Sequence, residues 1–158
     1  MKLKTIPHTE AELLVQGQSS QTHKLFLILD PGTVAGSLRF IVVRPDGKKV
    51  ISYVVERRRK SIELVLARIV KTLHEKRYRL KDLAGVCVVR GGESFSGVRG
   101  VHAIANAIAW SMQIPACSLA DCAKDTIHNA IPRCHRAKRF HMLFPHYSRE
   151  PNITVVTE

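Results

Sequence analysis

The chain has 158 residues, 45% of them apolar, which is enough for one domain with a real core and too little for two full ones. Lys and Arg total 25 against 13 Asp and Glu, giving a formal charge of +12, a balance that favours contact with polyanions such as RNA and equally serves solubility or an acidic protein partner. No run of about 18 apolar residues occurs, so membrane insertion is not expected and a cytoplasmic setting is.

Residues 1–23, rich in Gln, Ser, Thr and Lys, read as a flexible extension. From residue 24 the pattern changes. The continuous apolar run 25–29, closed by Asp30-Pro31-Gly32-Thr33, predicts a buried central strand. Segments 37–43 and 49–55 flank the Pro45-Asp46-Gly47 turn and predict an antiparallel hairpin. The cationic run Arg57-Arg58-Arg59-Lys60 leads to Ser61 as N-cap of a helix to about residue 76, with Ile62, Leu66, Ile69 and Leu73 at helical spacing. Leu64, Val65 and Val70 widen that apolar arc beyond what one sheet contact needs.

A second buried strand of the parallel kind is predicted at 84–89, after a helical crossover. A second helix at about 97–113 carries Val101, Ile104, Ala105, Ile108, Trp110 and Met112 and leaves little of its circumference polar. Such a helix must be buried on more than one side. Residues 114–117 complete five strands. Beyond Asp121 the chain turns basic and His-rich, with Arg133, Arg136, Lys138 and Arg139, and reads as a tail of uncertain fold whose default state is a solvated surface.

The junction Val88-Val89-Arg90-Gly91-Gly92-Glu93-Ser94-Phe95-Ser96-Gly97-Val98-Arg99-Gly100 joins the fourth strand to the second helix and can offer backbone N–H groups to an anion. Ser96 is a candidate cap. Arg99, near the positive end of the helix, would be eased by an anion, supplied by Glu93, a phosphate or a partner carboxylate. The four cysteines Cys87, Cys117, Cys122 and Cys134 form no Cys-x-x-Cys pair and fit a reduced compartment. With His135 the last three hold ligand types for zinc but not a zinc-finger spacing, so no metal is expected.

The pattern Gly-Gly-x-Ser-Phe-Ser-Gly-x-Arg-Gly resembles the Gly-Pro-Gly-Ser-Phe-Thr-Gly-x-Arg signature of the TsaB (YeaZ) family, non-catalytic subunits of the bacterial tRNA threonylcarbamoyladenosine machinery. The resemblance runs from about Leu25 to Leu119. Pro145-His146-Tyr147-Ser148-Arg149-Glu150-Pro151 is similar to the family's closing tail. Asp30 and Thr33 match the family's first loop, whereas Pro31, Gly32 and Glu93 depart from it.

The resemblance implies an α/β fold, a single actin-like ATPase (ribonuclease-H-like) lobe with a mixed five-stranded sheet and packed helices. The implied organisation is an extension at 1–23, the lobe at 24–120, and a basic tail at 121–158 in place of the family's second lobe. It implies no catalytic residue and no cofactor, and a role in binding a TsaD-like catalytic subunit, joined by a TsaE-like ATPase. The implied interface lies on the two helices, at Ile62, Leu66, Ile69, Leu73, Val101, Ile104, Ala105, Ile108 and Met112, and a homodimer through the same helices is the competing pairing. Asp30, Gly32, Thr33, Gly91 and Gly92 would form a vestigial phosphate site. Arg57, Arg58, Arg59, Arg136, Lys138 and Arg139 are the candidates for tRNA contact. Asp-Pro-Gly-Thr also resembles the first motif of RuvC-type resolvases, which makes a metal-dependent nuclease the alternative, with Asp30, Glu93 and either Asp121 or Asp125 as converging carboxylates.

Overall fold

The computed structural model describes residues 24–32, 37–56, 61–92, 94–137 and 139–147, without the side chains of 37, 56 and 61–63. Five strands, β1 (Leu25–Asp30), β2 (Ser37–Val43), β3 (Lys49–Glu56), β4 (Leu83–Val89) and β5 (Ala116–Leu119), form one sheet in the order β3-β2-β1-β4-β5. β1 pairs antiparallel with β2 and parallel with β4, β2 pairs antiparallel with β3, and β4 pairs parallel with β5. The predicted mixed sheet is therefore present. Its fifth strand begins two residues later than the sequence suggests, because Pro115 offers only its carbonyl, which accepts from Val86 N at 3.0 Å.

Among the described residues three helices cover the sheet: α1 (Ser61–Glu75), α2 (Phe95–Met112) and α3 (Lys124–Arg136). β1 is buried along its whole length and divides its residues by parity. Leu25, Leu27 and Leu29 join Val65, Ile69 and Leu73 of α1 and Val101, Ala105 and Ile108 of α2 in one core. Phe26 and Ile28 join Ile127, Ile131 and Cys134 of α3 in a second core on the opposite face. Gly85 of β4 lets α3 close in, since a Cβ there would meet Cys134 Sγ at 2.8 Å and the Phe26 ring at 3.0 Å.

α3 corrects the expectation of a purely solvated tail. Its three buried residues lie at spacings of four and three, one face of a helix, although Pro132 and the surrounding cations read as a break. The N-cap of α2 is Ser94 rather than Ser96. Ser94 Oγ accepts from Gly97 N at 3.3 Å, and Ser96 Oγ lies 3.0 Å from Ser94 Oγ. This earlier start moves Arg99 past the first turn, where it is exposed.

After α3 the chain returns along α2. Asn106 binds Leu143 twice, its Nδ2 donating to the carbonyl and its Oδ1 accepting from the amide, both at 2.9 Å. Tyr147 then meets Phe95 at the start of α2, ring centroids 4.9 Å apart.

Candidate functional site

Two sites follow from the architecture: the sheet edge where β1 and β4 end together, and the outer faces of α1 and α2. At the first, parallel pairing of β1 with β4 brings Asp30-Pro31-Gly32 beside the loop after β4. Gly92 has φ +132, and a Cβ there would lie 2.9 Å from Val98 Cγ2 and 3.1 Å from Pro31, so only glycine suits both the backbone and the space. Gly91, by contrast, faces open space. The structure thus brings Asp30, Gly32, Gly91 and Gly92 to one edge. Thr33 and Glu93 lie outside the described residues.

The chemistry at this edge is largely satisfied from within. Asp30 is 7% exposed, and its Oδ1 accepts from Gly32 N at 3.0 Å. Its Oδ2 accepts from Arg39 Nη2 at 2.8 Å and faces Cys122 Sγ at 3.6 Å. Arg39 stands directly across the β1–β2 ladder from Asp30, so the register builds the pair. The hydrogen bond to Asp30 outweighs partial burial and raises the Arg39 guanidinium above its ordinary value. Burial, then the Asp30 charge, push the Cys122 thiol up to about 11. Sequence reasoning missed Arg39 because nothing in a β2 sequence of Ser-Leu-Arg-Phe-Ile-Val-Val announces a cross-strand partner.

Of the carboxylates of the nuclease alternative, Asp30 is engaged by Arg39, and Glu93 lies outside the described residues. Asp121 is exposed and accepts from Ala123 N at 2.8 Å, and hydrogen bonds to Thr126 and Ala123 lower its carboxyl. Asp125 is exposed in the first turn of α3. No group of three His, Cys, Asp or Glu side chains able to hold a metal ion occurs among the described residues. Cys87 and Cys117 stand side by side on β4 and β5, with Cys134 of α3 against them. The contact with Cys134, followed by burial, pushes the Cys117 thiol up. Cys134 is also raised: its contact with Cys117 acts downward, but Cys87 and burial prevail. Cys117 and Cys134 are thus held as neutral structural thiols.

On the helices, burial redraws the predicted interface. Ile69, Leu73, Val101, Ala105 and Ile108 are buried in the first core, so they pack on the sheet and are not available to another chain. Ile104 and Met112 are half-buried against the same core. Leu66, 38% exposed, remains, and the side chain of Ile62 lies outside the described residues. The exposed apolar residues are instead Leu64 at 65%, Val70 at 43% and Trp110 at 64%. Of the three positions that widen the α1 arc, Leu64 and Val70 are exposed but Val65 is buried in the core, because spacing alone does not separate core from surplus positions. Of the cationic candidates, Arg136 and Arg139 are exposed, while Arg57, Arg58, Arg59 and Lys138 lie outside the described residues.

A mixed sheet of order β3-β2-β1-β4-β5, with two helices on one face and one on the other, has the architecture of a ribonuclease-H-like or actin-like ATPase lobe. Two solved structures share it at a TM-score of 0.53 and 22% identity over 63% of this chain: YeaZ from Pseudomonas aeruginosa and a protein described as similar to peptidase YeaZ from the same organism. The chain spans less than half of either, 45% and 44% of their lengths, so the likeness is to the fold of one part. RuvC from Thermus thermophilus in complex with Holliday junction substrate matches at a TM-score of 0.43 and 19% identity, over 61% of this chain and 64% of that one. No protein-family model and no curated protein matches the sequence. No helix among the described residues is long and apolar enough to cross a membrane.

Proposed function

We propose that the chain is a cytoplasmic TsaB-like accessory subunit, which binds and supports a TsaD-like catalytic subunit in threonylcarbamoyl transfer to tRNA adenosine. The observation that carries this reading is the exposed apolar set Leu64, Leu66, Val70 and Trp110 on the two helices of a YeaZ-like fold. These side chains are exposed rather than committed to the chain's own core, and exposed apolar residues on two neighbouring helices are what a helix-to-helix contact draws on. Trp110 suits a central anchor, because buried tryptophans carry much of the energy of such contacts. A homodimer through this surface would be isologous and would compete with the catalytic subunit.

In this reading the sheet edge is a remnant. Asp30 is held by Arg39 and Gly32, so a nucleotide gains little from it, and no cofactor is assigned. A TsaE-like ATPase would join the complex. Arg136 and Arg139, with Arg57, Arg58, Arg59 and Lys138, would meet tRNA phosphates.

The test is to mix the protein with the TsaD homologue from the same source and weigh the products by size-exclusion chromatography with light scattering. A heterocomplex lost on Leu66→Asp and on Trp110→Asp, with each variant still folded by circular dichroism, is the expected result. Absence of a complex, or a complex indifferent to both substitutions, overturns the reading.

A further inference from the structure

The segment 139–147 runs back along α2 without helix or strand, and it is fixed at two points. Asn106 ties the backbone of Leu143 by two hydrogen bonds of 2.9 Å, and Tyr147 meets the Phe95 ring at a centroid distance of 4.9 Å. Phe140 and Leu143 pack against the first core. Their neighbours do not. Phe144 is 77% exposed, and Met142, His141 and His146 are exposed beside it. A ring held open to water on a backbone clamped from behind gives up little further freedom when a flat partner stacks on it.

The surroundings of this ring are cationic. Phe95, Arg99 and Asn106, four and seven positions apart, share one stripe of α2, so the span 144–146 passes Arg99. Arg99 is exposed, and so is Arg139 at the head of the segment. Neither α2 nor 139–147 contains Asp or Glu, and among the described residues no carboxylate pairs with either arginine. An open aromatic face among cations is how single-stranded nucleic acid is held: the ring stacks on a base of any kind, and the cations follow the backbone. An apolar protein surface would instead leave both guanidinium groups without an anion.

We propose that residues 139–147 and Arg99 form a contact for single-stranded RNA, in which an unpaired base stacks on Phe144 while Arg99 and Arg139 hold the flanking phosphates. A duplex keeps its bases stacked on one another, so only loops and ends can offer a free face to the ring. The choice of RNA rests on the accessory-subunit reading, where tRNA supplies such loops. The contact itself needs no catalytic subunit.

Fluorescence anisotropy of the full chain alone tests it, with a labelled single-stranded RNA free of self-complementarity and with the same strand annealed to its complement. The expected result is tighter binding of the single strand, weakened about fivefold or more by Phe144→Ala and by Phe144→Leu and kept by Phe144→Trp, each variant folded by circular dichroism. Leucine keeps apolar area but has no π face, so it separates stacking from burial. The salt dependence should stay as steep in Phe144→Ala and lose about one phosphate contact in Arg99→Ala. Equal affinity for the duplex, no binding of either RNA, parental binding by Phe144→Ala or Phe144→Leu, or an unchanged slope in Arg99→Ala overturns the proposal. So does a Phe144→Ala protein that binds RNA as the parent does and loses only binding to phosphatidylserine vesicles, which would assign the ring to a lipid surface. Because the catalytic subunit is absent, a heterocomplex without RNA binding sinks this contact alone, and RNA binding without a heterocomplex sinks the accessory-subunit reading alone.

Discussion

The two faces of the sheet are built from alternate residues of the same strands, yet their helical covers differ in what they leave outside. α3 commits its apolar side chains Ile127, Ile131 and Cys134 to the core, and its exposed positions are Lys124, Asp125, His128, Asn129, Pro132, Arg133, His135 and Arg136. α1 and α2 fill the opposite core equally well and still expose Leu64, Leu66, Val70 and Trp110. Apolar content alone does not tell a core helix from an interface helix. The informative quantity is the surplus left after the sheet has been covered.

The sharpest way to break this comparison is to truncate a committed and a surplus leucine of the same helix. Leu73→Ala should destabilise by about 2–5 kcal/mol, because it opens a cavity in a fully buried site. Leu64→Ala should stay within about 0.5 kcal/mol, as expected for a side chain in water. Ile131→Ala on α3 should resemble Leu73→Ala, about 2–5 kcal/mol, which would show that the basic segment is structurally committed. Denaturant unfolding measures all three. Equal losses for Leu64 and Leu73 would erase the distinction between core and surplus.

A smaller effect is expected where the returning chain binds α2. Asn106→Ala removes both hydrogen bonds to Leu143 and leaves a half-buried backbone amide and carbonyl to find water, a loss of about 1–3 kcal/mol. Faster exchange of the Leu143 amide should accompany it. Unchanged protection there would mean that packing of Phe140 and Leu143, rather than Asn106, holds the segment.

Much of this organisation is legible in the sequence, and the exceptions have physical causes. The run Leu25–Asp30 and the Pro45-Asp46-Gly47 turn are local signals, so the strands and hairpin they predict are present. The parallel crossover follows from the helix between β3 and β4. Which helical residues are core is not local. Ile69 and Leu66 differ by less than a turn, but one meets the sheet and the other does not. The Asp30–Arg39 pair depends on a strand register that no single segment encodes. α3 was masked because three buried residues among so many cations, with Pro132 in the middle, give a weak apolar signal. The Gly-rich junction lies beside the end of β1, and its cap is Ser94 rather than Ser96 because either serine satisfies the same sequence rule.

The thiols refine the comparison at the α3 face. Burial, ahead of the Asp30 charge, raises Cys122 from an ordinary value of 9.0 to about 11, so the folded state prefers the neutral thiol. Stability linked to it is full below pH of about 9 and is lost as the pH rises towards 11. At pH 8 iodoacetamide should modify Cys117, Cys122 and Cys134 slowly in the folded protein and readily after denaturation, as read by mass spectrometry. Rapid modification of Cys134 without unfolding would mean that α3 opens from the sheet far more easily than its packing implies.

The smallest expected change in stability is also the one that separates the charge of α3 from its packing. Arg136 is exposed at the end of the helix, so Arg136→Ala should alter stability by no more than about 0.5 kcal/mol. If the cations of α3 meet tRNA, the same substitution should weaken binding and reduce the steepness of its salt dependence by about one phosphate contact. Filter binding over a range of salt concentrations measures both. An unchanged slope with unchanged stability would leave Arg136 as a solvating charge over a committed helix. The surface that distinguishes this molecule would then be confined to α1 and α2.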